Sequence, residues 1–146
     1  QAAEDTTVIH LAAVGDLNVT QRVVDSADGD YDYTRTFMDV APLLANADIT
    51  TVNFEGSFFG APYGEDRSAP DTLATALSRA GVDLVQLANS YSIYKGMDGL
   101  AATVNAIYAA GNMRYCSIEQ NRNHSSLIIC VIRKTYPFCC YKFCFS

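Results

Sequence analysis

Four polar side chains stand at the ends of three short apolar segments of the sequence, and their types suit them to chemistry. They are Asp16 after the first segment, Asn53 and Glu55 in the second, and Asn89 after the third. Asn53 and Glu55 are two residues apart, so in a strand their side chains face the same side. Carboxylate and amide oxygens are the ligands that hard divalent cations such as Mg²⁺, Mn²⁺ and Ca²⁺ prefer, and a bound cation could polarise a phosphoryl or carbonyl oxygen. The sequence therefore predicts a candidate metal site at these four residues.

Each of these residues also has an ordinary structural interpretation. An Asp that follows Gly at a strand end often caps the next segment, Asn53 and Asn89 can bond to loop backbone, and Glu55 can be a solvated loop acid. The coincidence of the four on three strand ends is what raises the hypothesis of a shared site. A site without any metal stays an open alternative, and no catalytic residue is assigned. Ser90, Tyr91 and Ser92 follow Asn89 directly and are candidate substrate-binding residues.

The elements that must position these residues alternate between strand and helix. The predicted strands are short apolar runs, the first of them buried, at 8–14, 49–55 and 82–88. The predicted helices have apolar residues at three-to-four spacing and cover 34–44, 70–80 and 97–110. Pro42 is an irregularity inside the first helix, whereas Pro70 and Gly81 are a typical start and stop for the second. Such alternation predicts an α/β fold with a parallel β-α-β-α-β-α core, in which ligands bind beyond the carboxyl ends of the strands.

Composition excludes several function classes. The chain has 146 residues, room for one domain, and it is 49% hydrophobic and 18% charged, which is typical of a globular protein. Its formal net charge of −6 argues against nucleic acid as a partner, because a polyphosphate requires a basic face. No window reaches the roughly 18–20 uninterrupted apolar residues of a membrane-spanning helix. The polar residues 1–7 read as a linker after a removed export signal or lipid anchor, and an ordinary chain terminus is the alternative.

The sequence changes character near Gly111. Up to that residue there are 15 acidic and five basic residues, and after it there are one acidic and five basic residues. All five cysteines lie in the second part, at Cys116, Cys130, Cys139, Cys140 and Cys144. The predicted organisation is therefore a linker at 1–7, an incomplete α/β domain at 8–111 and an irregular cysteine-rich tail at 112–146.

Three interpretations of the tail compete. A zinc module requires paired cysteines matched by a second pair or by histidines, whereas Cys139 and Cys140 are adjacent and His124 is alone. A disulfide framework requires an exported protein, and an odd number of cysteines leaves one thiol over. The third interpretation is a tail that is not native to the domain, from a shifted reading frame or a chance C-terminus. We favour the third, because the aromatic, cysteine-rich ending has no regular period.

Several segments resemble the CapA family in order and spacing over about residues 8–111. They are Ala13-Val14-Gly15-Asp16-Leu17, Tyr31-Asp32-Tyr33, Val40-Ala41-Pro42-Leu43-Leu44, Ala47-Asp48-Ile49 running to Asn53-Phe54-Glu55-Gly56, Ala69-Pro70, and Ala80-Gly81-Val82-Asp83-Leu84-Val85-Gln86-Leu87-Ala88-Asn89. The resemblance implies a calcineurin-like metallophosphatase fold and a role in poly-γ-glutamate capsule synthesis or export. It implies an extracytoplasmic position, with membrane association through a segment absent from this chain. The implied partners are the anionic capsule polymer or other capsule-synthesis proteins.

The resemblance also implies that Asp16, Asn53, Glu55 and Asn89 correspond to the family's metal-site motifs, with Mn²⁺, Mg²⁺ or Ca²⁺ as the cofactor if one is bound. The sequence departs from the family where its third motif has a histidine and then an aspartate, because Tyr91 and Tyr94 stand there. Both a probable ligand type and an acid/base are thereby lost. A second departure is length, since the family domain is about twice as long as the matching part.

The leading hypothesis is a truncated CapA-type capsule-synthesis protein with a degenerate metallophosphatase-like site. Two alternatives stay open. One is an active metal-dependent phosphoesterase, and the other is a non-enzymatic module that binds an anionic polymer or a partner protein. Whether the chain is an enzyme is left undecided by the sequence.

Overall fold

The computed structural model describes residues 6–111, 113–119, 127–130 and 142–143. Six strands form one sheet in the order of the chain: β1 (Leu11–Asn18), β2 (Ile49–Glu55), β3 (Leu84–Gln86), β4 (Arg114–Glu119), β5 (Leu127–Cys130) and β6 (Lys142–Phe143). The first four strands are mutually parallel, and β5 and β6 add to them in antiparallel orientation. The prediction of an α/β fold with parallel strands is confirmed.

Within the described residues, five helices connect or flank the parallel strands. They are α1 (Gln21–Val24), α2 (Thr34–Phe37), α3 (Ala41–Leu44), α4 (Thr72–Ala80) and α5 (Gly96–Ala109). Two further 3-10 turns lie at Gly29–Tyr31 and Glu65–Arg67. Among the described residues, none of the helices combines the length and the apolar character that crossing a membrane requires.

The core lies between the sheet and helices α4 and α5. Leu73 and Leu77 of α4 and Ile107 of α5 are almost completely buried, as are Phe54 of β2 and Leu87 just after β3. Burying a side chain of this size contributes about 1.5–3 kcal/mol, so these residues hold the helices firmly against the strands. The carboxyl ends of β2 and β3 are therefore fixed by the best-packed part of the molecule.

The end of α4 agrees with its predicted stop. Gly81 adopts a left-handed conformation with φ 102°, and its amide closes the last turn by donating to Ser78 O. A Cβ at this position would lie 2.8 Å from the backbone of Ala45, so only glycine fits the approach of the two segments.

The single helix predicted over 34–44 is wrong, because the structure has two short helices there. Helix α2 ends at Phe37, and α3 starts at Ala41 with Pro42 in its first turn. A proline inside a longer helix would lose one backbone hydrogen bond and collide with the carbonyl four residues earlier. In the first turn of a new helix neither cost arises.

The first strand also differs from the prediction. A buried strand over 8–14 is wrong, because β1 runs from Leu11 to Asn18 and most of its residues are exposed, Leu11 by 66%. Within the described sheet β1 is an edge strand, and its backbone pairs with β2 on one side only. The register with β2 shifts between Ala13 and Asp16, so Gly15 lies in an irregularity and Asp16 lies inside the strand.

The described part of the segment 112–146 consists of strands. Strand β4 pairs with β3, and Leu127–Cys130 forms β5. The prediction of an irregular cysteine-rich tail at 112–146 stays a prediction, because most of that segment lies outside the described residues. The zinc and disulfide interpretations concern cysteine side chains that lie outside the described part of the structure.

Candidate functional site

The register of the parallel strands brings the four predicted site residues to one edge of the sheet. Asp16 of β1 stands opposite Asn53 of β2, and Asn18 stands opposite Glu55. Asn89 lies three residues beyond the end of β3, where the chain turns toward α5. We call Asp16, Asn53, Glu55 and Asn89 the strand-end cluster.

Hydrogen bonds join all four members of the strand-end cluster. The Asn53 amide nitrogen Nδ2 donates to Asp16 Oδ1 at 2.8 Å and, over a longer 3.4 Å, to Glu55 Oε1. The Asn89 amide nitrogen in turn donates to Asn53 Oδ1 at 2.9 Å and to the Phe54 carbonyl oxygen at 2.9 Å. The two carboxylates therefore meet at a single nitrogen, which lies between them.

The turn after β3 holds Asn89 in place. Its side-chain oxygen Oδ1 accepts from the Tyr91 backbone amide at 3.0 Å and from the Ser92 hydroxyl at 3.3 Å. The Ser92 hydroxyl also donates to the Leu87 carbonyl, and the residue is only 6% exposed. The Ser92 hydroxyl is thus engaged in closing this turn, whereas Ser90 is exposed to solvent.

An arginine that the sequence analysis did not single out lies beside the cluster. Arg67 Nη1 donates to Asn18 Oδ1 and lies 3.8 Å from Glu55 Oε2. Its guanidinium carbon lies 3.7 Å from the centre of the Tyr91 ring, a cation–π contact. The one signal in the sequence is that Arg67 stands two residues before the Ala69-Pro70 motif, and nothing in the hydrophobic pattern marks it.

The loop that carries Arg67 is tied down on both sides. The Ser57 amide donates to the Arg67 carbonyl at 2.9 Å, and the Ala69 amide donates back to the Ser57 carbonyl at 2.8 Å. Asp66 forms an ion pair with Lys95, whose Nζ lies 2.6 Å from Asp66 Oδ2. These contacts join the loop to the end of β2 and to the start of α5, so the guanidinium is held close to the strand-end cluster.

The donor set of the cluster limits what it can bind. Within residues 6–111 and the other described stretches, no three residues of the types His, Cys, Asp and Glu converge on one point. The Asn89 oxygen already accepts two hydrogen bonds, and the Asn53 oxygen accepts one. The oxygens best placed for a cation are therefore those of Asp16 and Glu55, which fit a single hard cation that keeps much of its water shell.

The fold and the cluster together define a class: a mixed α/β protein with a polar site at the carboxyl ends of parallel strands. A family model described as bacterial capsule synthesis protein PGA_cap matches residues 10–144, which is nearly the whole chain. The chain belongs to this family, and the resemblance stated from its motifs is confirmed. The match continues past residue 111 through most of the cysteine-rich segment. No curated protein matches the chain significantly.

Proposed function

We propose that this capsule synthesis protein handles an anionic polymer, poly-γ-glutamate, during its synthesis or export at the outer face of the cytoplasmic membrane. In this proposal the strand-end cluster is a degenerate metallophosphatase-like site that does not hydrolyse phosphoesters. Membership of the capsule synthesis family supports the biological role. The polymer and the extracytoplasmic position are what the CapA resemblance implies.

One observation carries the proposal of a non-hydrolytic site: groups of the protein itself already contact both carboxylates of the strand-end cluster. The Asn53 amide lies between Asp16 and Glu55, and the Arg67 guanidinium lies against Glu55. An internal amide and an internal cation thus compete with a metal ion for these two carboxylates.

The two tyrosines that depart from the family motif support the same conclusion. The Tyr91 ring is stacked against Arg67, and Tyr94 is 61% exposed. Neither residue supplies the imidazole or the carboxylate that general acid–base catalysis commonly uses.

A hydrolysis assay tests this proposal on the purified full chain. We expect no release of nitrophenol from p-nitrophenyl phosphate with Mn²⁺ or Mg²⁺ above the level of the Asp16→Ala variant. Asp39→Ala is the matched control, because Asp39 is an exposed acid outside the cluster. Metal-dependent turnover that disappears in Asp16→Ala and persists in Asp39→Ala would overturn the proposal of a non-hydrolytic site.

The capsule role has a test of its own. A strain that lacks this protein should lose surface polymer, and the wild-type gene should restore it. Unchanged polymer in the deletion strain would contradict the capsule role.

A second candidate function, an active phosphoesterase, is favoured by the convergence of Asp16 and Glu55 at one edge of the sheet. In that case Asp16 and Glu55 would hold a single divalent cation, Mn²⁺, Mg²⁺ or Ca²⁺, which supplies Lewis-acid chemistry when bound. The hydrolysis assay above separates the two candidates, because they predict opposite results for the wild-type chain.

A further inference from the structure

A groove of about 340 Å³ lies next to the strand-end cluster. Its walls come from the start of α1, from the loop of Arg67 and from the turn after β3, and they include Thr20, Gln21, Gly64, Arg67, Tyr91 and Tyr94. Gly64 has φ 85°, and a Cβ there would lie 2.8 Å from Gln21 Cδ, so the absence of a side chain helps to shape this wall. We call this space the Arg67 groove.

Among the residues that line the Arg67 groove, Arg67 is the one that carries a positive charge. The only acidic residue in its lining, Asp66, is already paired with Lys95 at 2.6 Å. Glu55 forms an ion pair with Arg67 at 3.8 Å, and because this distance exceeds hydrogen-bond range, the pair leaves N–H donors of the guanidinium unused.

The guanidinium has more donors than the protein uses. An arginine side chain has five N–H donors, and within the described part of the chain Asn18 is the one residue that accepts a hydrogen bond from Arg67. The side chain is 29% exposed, so solvent or a ligand reaches it. Stacking on Tyr91 occupies a face of the guanidinium and leaves its edge, where the N–H groups lie, for an acceptor.

The position of Arg67 is fixed before any ligand binds. The backbone bonds to Ser57 and the Asp66–Lys95 ion pair hold the loop, and the Tyr91 ring supports the side chain. A donor that is already ordered loses little conformational freedom on binding, which favours affinity.

From these observations we propose that the Arg67 groove is a binding subsite for an oxyanion, either a carboxylate or a phosphate group, with Arg67 as its anion contact and Tyr91 as the support of that contact. The proposal deepens the proposed function and rests on it for the identity of the ligand, since a polymer of glutamate presents carboxylates. Thr20 and Gln21 add a hydroxyl and an amide to the same wall, which suit the polar atoms next to such a group.

Calorimetric titration of the full chain tests the subsite with three probes: inorganic phosphate, a glutamate trimer and, as the uncharged control, a glutamine trimer. We expect saturable binding of at least one of the two anions and none of the glutamine trimer. Binding of phosphate alone identifies a phosphoryl ligand, and binding of the glutamate trimer alone identifies a polymer carboxylate. No saturable binding of either anion, or equal binding of the glutamine trimer, would overturn the proposal.

Variants assign the binding to the groove. Arg67→Ala should weaken the affinity for the anion about tenfold or more. The affinity of Arg67→Lys should lie between those of the wild type and Arg67→Ala, because lysine keeps the charge and loses the planar guanidinium. Arg35→Ala is the matched control and should change the affinity less than twofold, since Arg35 is an exposed residue that pairs with Asp28 outside the groove. Equal affinities of Arg67→Ala and Arg35→Ala would refute the role of Arg67.

A second pair of variants keeps the test decisive if Arg67→Ala does not fold, which thermal unfolding would reveal. Tyr91→Phe retains the ring and should bind as the wild type does, whereas Tyr91→Leu removes the aromatic support and should weaken binding severalfold. Equal binding by both variants would contradict the support role of Tyr91. If the wild-type chain binds neither anion while the deletion strain still loses its capsule, only the subsite is overturned. Metal-dependent turnover by the wild-type chain overturns only the proposed non-hydrolytic site.

Discussion

Replacing Asn53 by Asp puts a third carboxylate where the structure has an amide that bridges two others. The wild-type nitrogen donates to Asp16 at 2.8 Å and to Glu55 at 3.4 Å, and in Asn53→Asp both contacts become oxygen against oxygen. A hydrogen bond to a charged group contributes about 1.5–3 kcal/mol. Here each contribution is smaller, because the bond to Asp16 is exposed and the bond to Glu55 is long. With the added like-charge repulsion in a partly hydrated site, we expect the free energy of unfolding to fall by about 3 kcal/mol.

A divalent cation should restore much of this stability. Three carboxylates at one point form a better site for a hard cation than two carboxylates and an amide, and a ligand that binds only the folded state stabilises it. The measurement is a denaturant titration of wild type and Asn53→Asp in chelator and then in excess Mg²⁺, Mn²⁺ or Ca²⁺. We expect the cation to raise the stability of the variant by more than it raises that of the wild type.

The matched control is Asn105→Asp, which makes the same chemical change at an exposed position of α5. It should change stability by less than about 0.5 kcal/mol, with or without cation. If Asn53→Asp in chelator is as stable as Asn105→Asp, the Asn53 amide does not bridge the two carboxylates. The account of the strand-end cluster would then be wrong.

Three further predictions concern buried groups and close contacts of the domain. Burial, followed by the nearby charges of other ionisable groups, raises the pKa of Tyr33 from its ordinary 10.0 to about 12. The folded state therefore holds this proton more tightly than the unfolded state does, and the free energy of unfolding falls as the pH rises between these values. Tyr33→Phe has no proton to lose, and its free energy of unfolding should fall less than that of the wild type in denaturant titrations at pH 10 and pH 12. Gly56→Ala should lose about 1–3 kcal/mol in the same assay, because the new Cβ would lie 2.9 Å from the Arg67 carbonyl oxygen; full stability would contradict this close approach. Thr103→Val should lose about 1–3 kcal/mol, because the Thr103 hydroxyl accepts from the buried Phe58 amide at 3.0 Å, and an unchanged melting temperature would show that this amide finds another partner.

Local sequence was sufficient to predict an element where a single local feature, such as a glycine stop, fixes its end. The strand at Ile49–Glu55 was predicted with its observed bounds, because a β-branched run ends at a glycine and alternates between buried and partly exposed positions. The helix that ends at Gly81 was predicted for a similar reason, since a left-handed residue that approaches another backbone has to be glycine.

Local sequence was insufficient where the outcome depended on neighbours that are distant in the chain. The apolar run that begins β1 looks like a buried strand, whereas in the structure β1 is an edge strand whose residues are mostly exposed. The helical spacing over 34–44 does not reveal that the helix breaks before Pro42. Hydrophobic periodicity shows that a segment has an apolar face, and it does not show what covers that face.

The residue types of the sequence by themselves determined the polar groups at the strand ends and the family to which the chain belongs. Parallel pairing explains why this was enough, because it brings the carboxyl ends of successive strands to the same edge. Only the tertiary structure decided how those groups are used. The register shift in β1 sets Asp16 opposite Asn53, and the loop anchored to Ser57 delivers Arg67 to Glu55 and Tyr91. Contacts of this kind join residues from separate loops and strands, so no pattern within one segment could have predicted them.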